Sequence, residues 1–132
     1  HHVAYNVADI VPFLQALHDH ARHRVVLEIP MHHPISVLSP LWKRFWNLDR
    51  PTRPTAEDLY AICLAMGFDA RIERWEDPEF GHRSPLSVAD EIRFTRIRLC
   101  LPAERSDEVA EALASAGPGR PRELVTIWWD RH

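Results

Sequence analysis

Lysine is almost missing from this chain: Lys43 is the single one among 16 basic residues, and the rest are arginine. With alanine and proline abundant, that skew reads as GC-rich coding rather than an arginine-dependent mechanism. Cysteine is scarce too, with only Cys63 and Cys100, far apart and each inside an apolar stretch. A disulfide framework and a four-cysteine zinc site are thereby excluded, and a reducing, cytoplasmic setting is expected. The four glycines, Gly67, Gly81, Gly117 and Gly119, form no G-x-G-x-x-G, and Gly117-Pro118-Gly119 reads as a turn. No apolar run approaches the length of a transmembrane helix, and no cationic-then-apolar leader opens the chain. A basic surplus is also lacking: 16 basic against 19 acidic residues give a net charge of −3. That excludes a general nucleic-acid binder.

What is present suffices for a folded domain. The 132 residues are 45% hydrophobic and 27% charged, which predicts one domain over 1–132 with a real core. Ile10, Phe13, Leu14 and Leu17 repeat at helical spacing behind Asp9, a candidate N-cap, and that helix fades over His20 to His23. Val25 to Ile29 is an apolar run without alternation, which reads as a strand covered on both faces. Ser39-Pro40 opens a short helix with Leu41, Trp42 and Phe45 on its apolar side, and Asp49 to Pro54 is a loop. Thr55 to Met66 is the clearest helix, closed by Gly67, and Asp69 to Trp75 reads as a more exposed strand. After an irregular stretch from Asp77 to Pro85, helices follow from Ser87 to Leu99 and from Ser106 or Asp107 to Ala116. Leu124 to Trp129, dense in β-branched and aromatic residues, is a strand. The alternation predicts an α/β layered sheet.

The opening His1-His2-Val3-Ala4-Tyr5-Asn6-Val7-Ala8-Asp9-Ile10 resembles the end of the fourth strand and the following helix of class I S-adenosylmethionine-dependent methyltransferases. Arg24 to Pro30 is similar to that family's fifth strand, Thr55 to Trp75 to its helix, Gly-Phe and sixth strand, and Leu124 to Trp129 to its seventh. The resemblance implies a partial Rossmann-like methyltransferase sheet: the end of strand 4, then strands 5, 6 and 7, with the seventh antiparallel between the fifth and sixth. Flanking helices and a two-helix insertion over Arg93 to Ala112, before the last strand, complete it. It covers nearly all of this chain but only the C-terminal part of that fold. The family's Gly-rich turn and the acidic residue ending its second strand are not in this sequence.

On that resemblance the intact protein transfers a methyl group from S-adenosylmethionine to a small-molecule acceptor, chiefly by proximity and orientation, while this fragment alone is inactive. Ligands of open α/β sheets sit beyond the carboxyl ends of the strands, so His1, His2, Tyr5 and Asn6 are expected to share one rim with His32 and His33. The register of the following residues marks His1-His2 as native rather than a tag remnant. His2 and His33 are the candidate general bases, because imidazole suits proton transfer near neutral pH. His1 and His2 are expected near the cofactor, and Tyr5, Asn6, His32 and Trp42 near the acceptor. No metal site is expected: His18 and His20 point to opposite sides of a helix, and His20 with His23 lacks a third ligand, so these read as surface histidines. The arginines Arg93, Arg96, Arg98 and Arg105 interleave with acids and read as a salt-bridged helix face. The alternative is a non-enzymatic interaction domain on the same scaffold, since fold does not fix function. Either way, the strand from Val25 to Ile29 lacks a neighbour on one edge, which predicts a homo-oligomer through the exposed sheet edge.

Overall fold

In the computed structural model, which describes residues 3–77, 86–117 and 122–131, the sheet is organised around its last strand. A 3-10 turn at Ala4–Asn6 leads into α1 (Ile10–His20) and β1 (Arg24–Pro30). A second 3-10 turn at Pro34–Leu38 precedes α2 (Ser39–Trp46), α3 (Ala56–Ala65) and β2 (Arg71–Asp77). Then come α4 (Val88–Arg98), a 3-10 turn at Ala103–Arg105, α5 (Ser106–Ala116) and β3 (Arg122–Asp130). From α1 onward the predicted order of helices and strands holds among the described residues. The strand order is β1-β3-β2, and β3 is antiparallel to both neighbours, which therefore run parallel to each other.

Two compact units divide the chain. The first holds residues 1–34, 52–77 and 122–132 and contains the sheet with α1 and α3. The register sets Val25 against Trp129, Leu27 against Ile127 and Ile29 against Val125, so one side of β1 and β3 builds a single apolar face, which Ile72 of β2 extends. Leu14 from α1 and Leu59 and Cys63 from α3 close over it. Trp129 is 1% exposed and stacks on Phe68 at 4.8 Å between ring centroids, and Phe68 stacks in turn on His18 at 4.7 Å. The Trp129 indole N–H donates to His18 Nδ1 at 3.1 Å, satisfying a polar atom that burial would otherwise strand. His18 is thus half-buried beside Trp129, with both rings stacked on Phe68, which corrects its reading as a surface histidine.

Two further expectations change. Residues 4–6 form a 3-10 turn, and Val3 to Asn6 contain no strand, where the end of one was expected. Among the described residues β1 is not covered on both faces along its length. Val25 and Ile29 are buried, yet Val26, pointing the other way, is 58% exposed. A run of apolar residues hides this alternation, because Val26 is as hydrophobic as the neighbours that face the core. Asp9 occupies the N-cap position of α1, but its side chain makes no capping bond.

The second unit comprises residues 35–51 and 78–121. Its described helices, α2, α4 and α5, share an apolar cluster of Leu99, Leu101 and Val109 with Leu41, Trp42, Phe45, Ile92 and Leu113 packed against it. The expected two-helix insertion therefore brings a core of its own. Ser87 caps α4 by accepting the Asp90 N–H. At its other end Cys100 takes a left-handed conformation, φ 56°, while Leu101 N–H reaches back to the Arg96 carbonyl and Cys100 N–H to that of Ile97. This is the Schellman arrangement, in which glycine is the usual occupant. The arginines of α4 and its flank are only partly salt-bridged: Arg96 donates to the Leu101 carbonyl and Arg98 lies over Phe94, while Arg105 forks onto Glu108.

Candidate functional site at the carboxyl end of β1

Where β1 ends, at Pro30 and Met31, three segments of the first unit converge. The Ala4–Asn6 turn brings Tyr5, whose hydroxyl lies 2.9 Å from both the Pro30 and Met31 carbonyls and donates to them. The loop beyond β1 brings His33, which the Tyr5 ring meets edge-on at 5.4 Å. The start of α3 brings Ala56, whose N–H also donates to the Met31 carbonyl at 2.9 Å. The ladder to β3 continues to Met31, whose N–H donates to the Glu123 carbonyl, and the Pro30 and Met31 carbonyls become acceptors for groups from other segments.

The N-terminus of α3 is built by a capping box. The Asp58 carboxylate accepts the Thr55 N–H at 2.7 Å, and Thr55 in turn caps the helix. Arg53 forks onto the same carboxylate. Arg53's guanidinium and the Thr55 N–H hold the Asp58 carboxyl well below the usual carboxylate range. Tyr5 is moved the other way: burial first, and the negative charge of Asp58 second, push its phenol up to about 12. Tyr5 is therefore a neutral donor at physiological pH, fully used in anchoring the turn to β1. Between these groups lies a cavity of about 80 Å³, lined by Ala4, Tyr5, Ile29, Thr55, Asp58 and Leu59 among others. It is far below the roughly 300–1,000 Å³ of sites that enclose a cofactor or drug-sized ligand.

The expected rim residues are placed as follows. Tyr5 and His33 are brought together; His32 and Asn6 are exposed near them in sequence. His1 and His2 lie outside the described residues. Trp42 belongs to the second unit, where its ring packs in the apolar cluster with the Arg50 guanidinium 5.1 Å from the ring centroid. Its indole N–H is buried, with no hydrogen-bond partner among the described residues. Among the described residues no three His, Cys, Asp or Glu side chains converge on a point that would hold a metal ion, and none of the helices is long and apolar enough to cross a membrane. His33, half-buried, is held edge-on against the Tyr5 ring at this end of β1.

Sequence reasoning missed Arg53 and Asp58 as parts of this site. Thr55-x-x-Asp58 announces a helix start, and that signal was legible, but nothing in spacing alone links Arg53 to it. Protein-family models, curated proteins and solved structures alike offer no match to this chain.

Proposed function

We propose that this chain is the C-terminal portion of a class I S-adenosylmethionine-dependent methyltransferase fold, which in the intact protein acts on a small-molecule acceptor and alone is inactive. The observation that carries the reading is the strand order β1-β3-β2, with the last strand inserted antiparallel between two parallel ones. This arrangement is the one the resemblance predicts for the end of that fold. The placement of Tyr5 and His33 at the carboxyl end of β1 agrees with an acceptor rim. The free thiols of Cys63 and Cys100 agree with a reducing, cytoplasmic setting.

The described residues of the rim do not by themselves make up a cofactor site. The cavity at the rim is too small for a nucleoside, and Asp58, the acid nearest it, is committed to Arg53 and Thr55. No catalytic step is therefore assigned to this chain alone. The same two facts favour a second reading, an α/β interaction domain that keeps the scaffold without the chemistry. Calorimetry with S-adenosylmethionine separates them. This chain is expected to give no binding heat, and a polypeptide that includes the residues encoded upstream of His1 is expected to bind with micromolar affinity. In that longer protein, His33→Ala is expected to lower turnover without lowering the melting temperature. Micromolar binding to this chain alone overturns its inactivity, and a longer polypeptide that binds neither the cofactor nor its demethylated product selects the interaction domain.

A further inference from the structure

We propose that His18 is a protonation-sensitive latch: as a neutral imidazole it fastens the C-terminal end of β3 to α1 through the buried indole of Trp129, and mild acid releases that end. This goes beyond the methyltransferase reading and does not depend on it.

Three elements of the first unit build the latch. α1 supplies His18 from its last turn, β3 supplies Trp129, and the turn that ends α3 supplies Phe68. Both rings lie nearly parallel to Phe68, His18 at 18° and Trp129 at 5°. The shared stacking keeps the two rings close to coplanar, so the indole N–H points into the edge of the imidazole and meets Nδ1 at 3.1 Å. Accepting at Nδ1 fixes the tautomer, with the imidazole hydrogen on Nε2. Protonation places a hydrogen on Nδ1 as well, and two N–H groups then face each other. Turning the ring over restores nothing, because an imidazolium has no acceptor on either nitrogen. Trp129 is buried, so its N–H cannot exchange the lost partner for water without the end of β3 opening.

The charged and titratable groups nearby do not reverse this balance. On α1, the Asp19 carboxylate accepts from the Gln15 amide and His20 Nδ1 lies 2.8 Å from the Ala16 carbonyl, and both residues are exposed. Arg22 and His23, beyond α1, are exposed as well. α3 carries its acids, Glu57 and Asp58, in its first turn, at the end away from Phe68, and Asp69 after Phe68 is exposed. From the β3 side, Asp130 pairs with Arg24, and Arg131 donates to the Asp19 and Ala21 carbonyls. A cation therefore already occupies the C-terminal end of α1, where the helix dipole would otherwise favour a protonated His18. The Phe68 ring attracts a cation by a factor of about two to five. A buried donor left facing another donor costs a factor of about ten or more, so the neutral imidazole prevails. The unfolded chain takes up the proton at His18 without that loss. What the latch adds to stability is therefore complete at neutral pH and drains away as pH falls through the imidazole range.

The test compares urea unfolding of the wild-type chain and His18→Asn between about pH 8 and about pH 5. The asparagine amide oxygen can stand where Nδ1 stands, and it does not titrate. Over that range the folding equilibrium constant of wild type is expected to fall about fivefold further than that of His18→Asn, while His20→Asn, at an exposed position, follows wild type. Nuclear magnetic resonance of the wild type reads the latch directly. At neutral pH the imidazole nitrogens of His18 should show hydrogen on Nε2 and none on Nδ1. As His18 protonates, the Trp129 indole N–H signal should move and its exchange with water should quicken. Should His18→Asn fail to fold, this titration decides alone. Equal pH dependence of wild type and His18→Asn, or a Trp129 indole signal indifferent to the protonation of His18, overturns the proposal.

Discussion

Replacing Tyr5 by phenylalanine isolates one hydroxyl that ties the Ala4–Asn6 turn to the end of β1. Phenylalanine keeps the ring and its edge-on contact with His33, and loses only the O–H that lies 2.9 Å from both the Pro30 and Met31 carbonyls. The Met31 carbonyl keeps the Ala56 N–H; the Pro30 carbonyl loses the Tyr5 donor. One neutral hydrogen bond is worth a net of about 1 kcal/mol. For a chain of this size, with a urea dependence of about 2 kcal/mol per molar, the unfolding midpoint should fall by about 0.5 M. The pH dependence carries an independent sign. The phenol is pushed up to about 12 in the folded protein, mainly by burial, against about 10 in the unfolded chain. Its contribution is complete below about pH 10 and is lost as pH rises towards 12, because the unfolded state releases the proton first. Near-ultraviolet absorbance after a rapid jump to alkaline pH reads this directly, and the difference between wild type and Tyr5→Phe separates the phenol from that of Tyr60. A midpoint unchanged by the substitution, together with ionisation of Tyr5 near pH 10, would show that the hydroxyl is in water and that the turn is not anchored to β1.

Two further predictions concern titratable groups. Burial pushes the Cys63 thiol up to about 11 and leaves it 0% exposed, while Cys100 is exposed, so a disulfide reagent near neutral pH should consume one thiol quickly and the second only with unfolding; a native Cys100→Ser chain that still reacts quickly would contradict this. Asp58, held low by Arg53 and Thr55, stabilises the fold fully above the ordinary carboxylate value of about 4, and that contribution drains away as pH falls below it. Asp58→Asn should therefore lower stability at neutral pH, with the gap from wild type closing in acid. A gap independent of pH would place the effect in packing rather than charge.

The secondary structure was legible because each element carries a local signal: the helical repeat of Ile10, Phe13, Leu14 and Leu17, the Thr55–Asp58 start, the Gly67 stop, and the β-branched run into Trp129. Strand order was legible only through resemblance, since nothing local says that β3 enters between β1 and β2. Coverage of β1 was misread because a hydrophobic side chain at position 26 looks the same whether a layer covers it or water does. His18 was misread for the opposite reason. A polar type on a helix face reads as solvated until the indole of Trp129, more than a hundred residues later, supplies its partner. The rim was half legible: Tyr5 and His33 follow from the carboxyl-end rule, whereas the Arg53–Asp58 fork depends on how the loop before α3 doubles back.

The central place of β3 has a consequence in time. β1 and β2 hydrogen-bond to it and not to each other, and it comes from the last stretch of the described chain, with Arg24 paired to Asp130 across most of the sequence. As the chain leaves the ribosome, α1, β1, α3 and β2 are all made before any of the sheet can close. Until then β1 and β2 wait with open edges, and their pairing must meet the loop-closure entropy of the whole intervening chain at once. Sheet formation should therefore be late and concerted, and loss of the residues from Arg122 onward should abolish both ladders together rather than trim one.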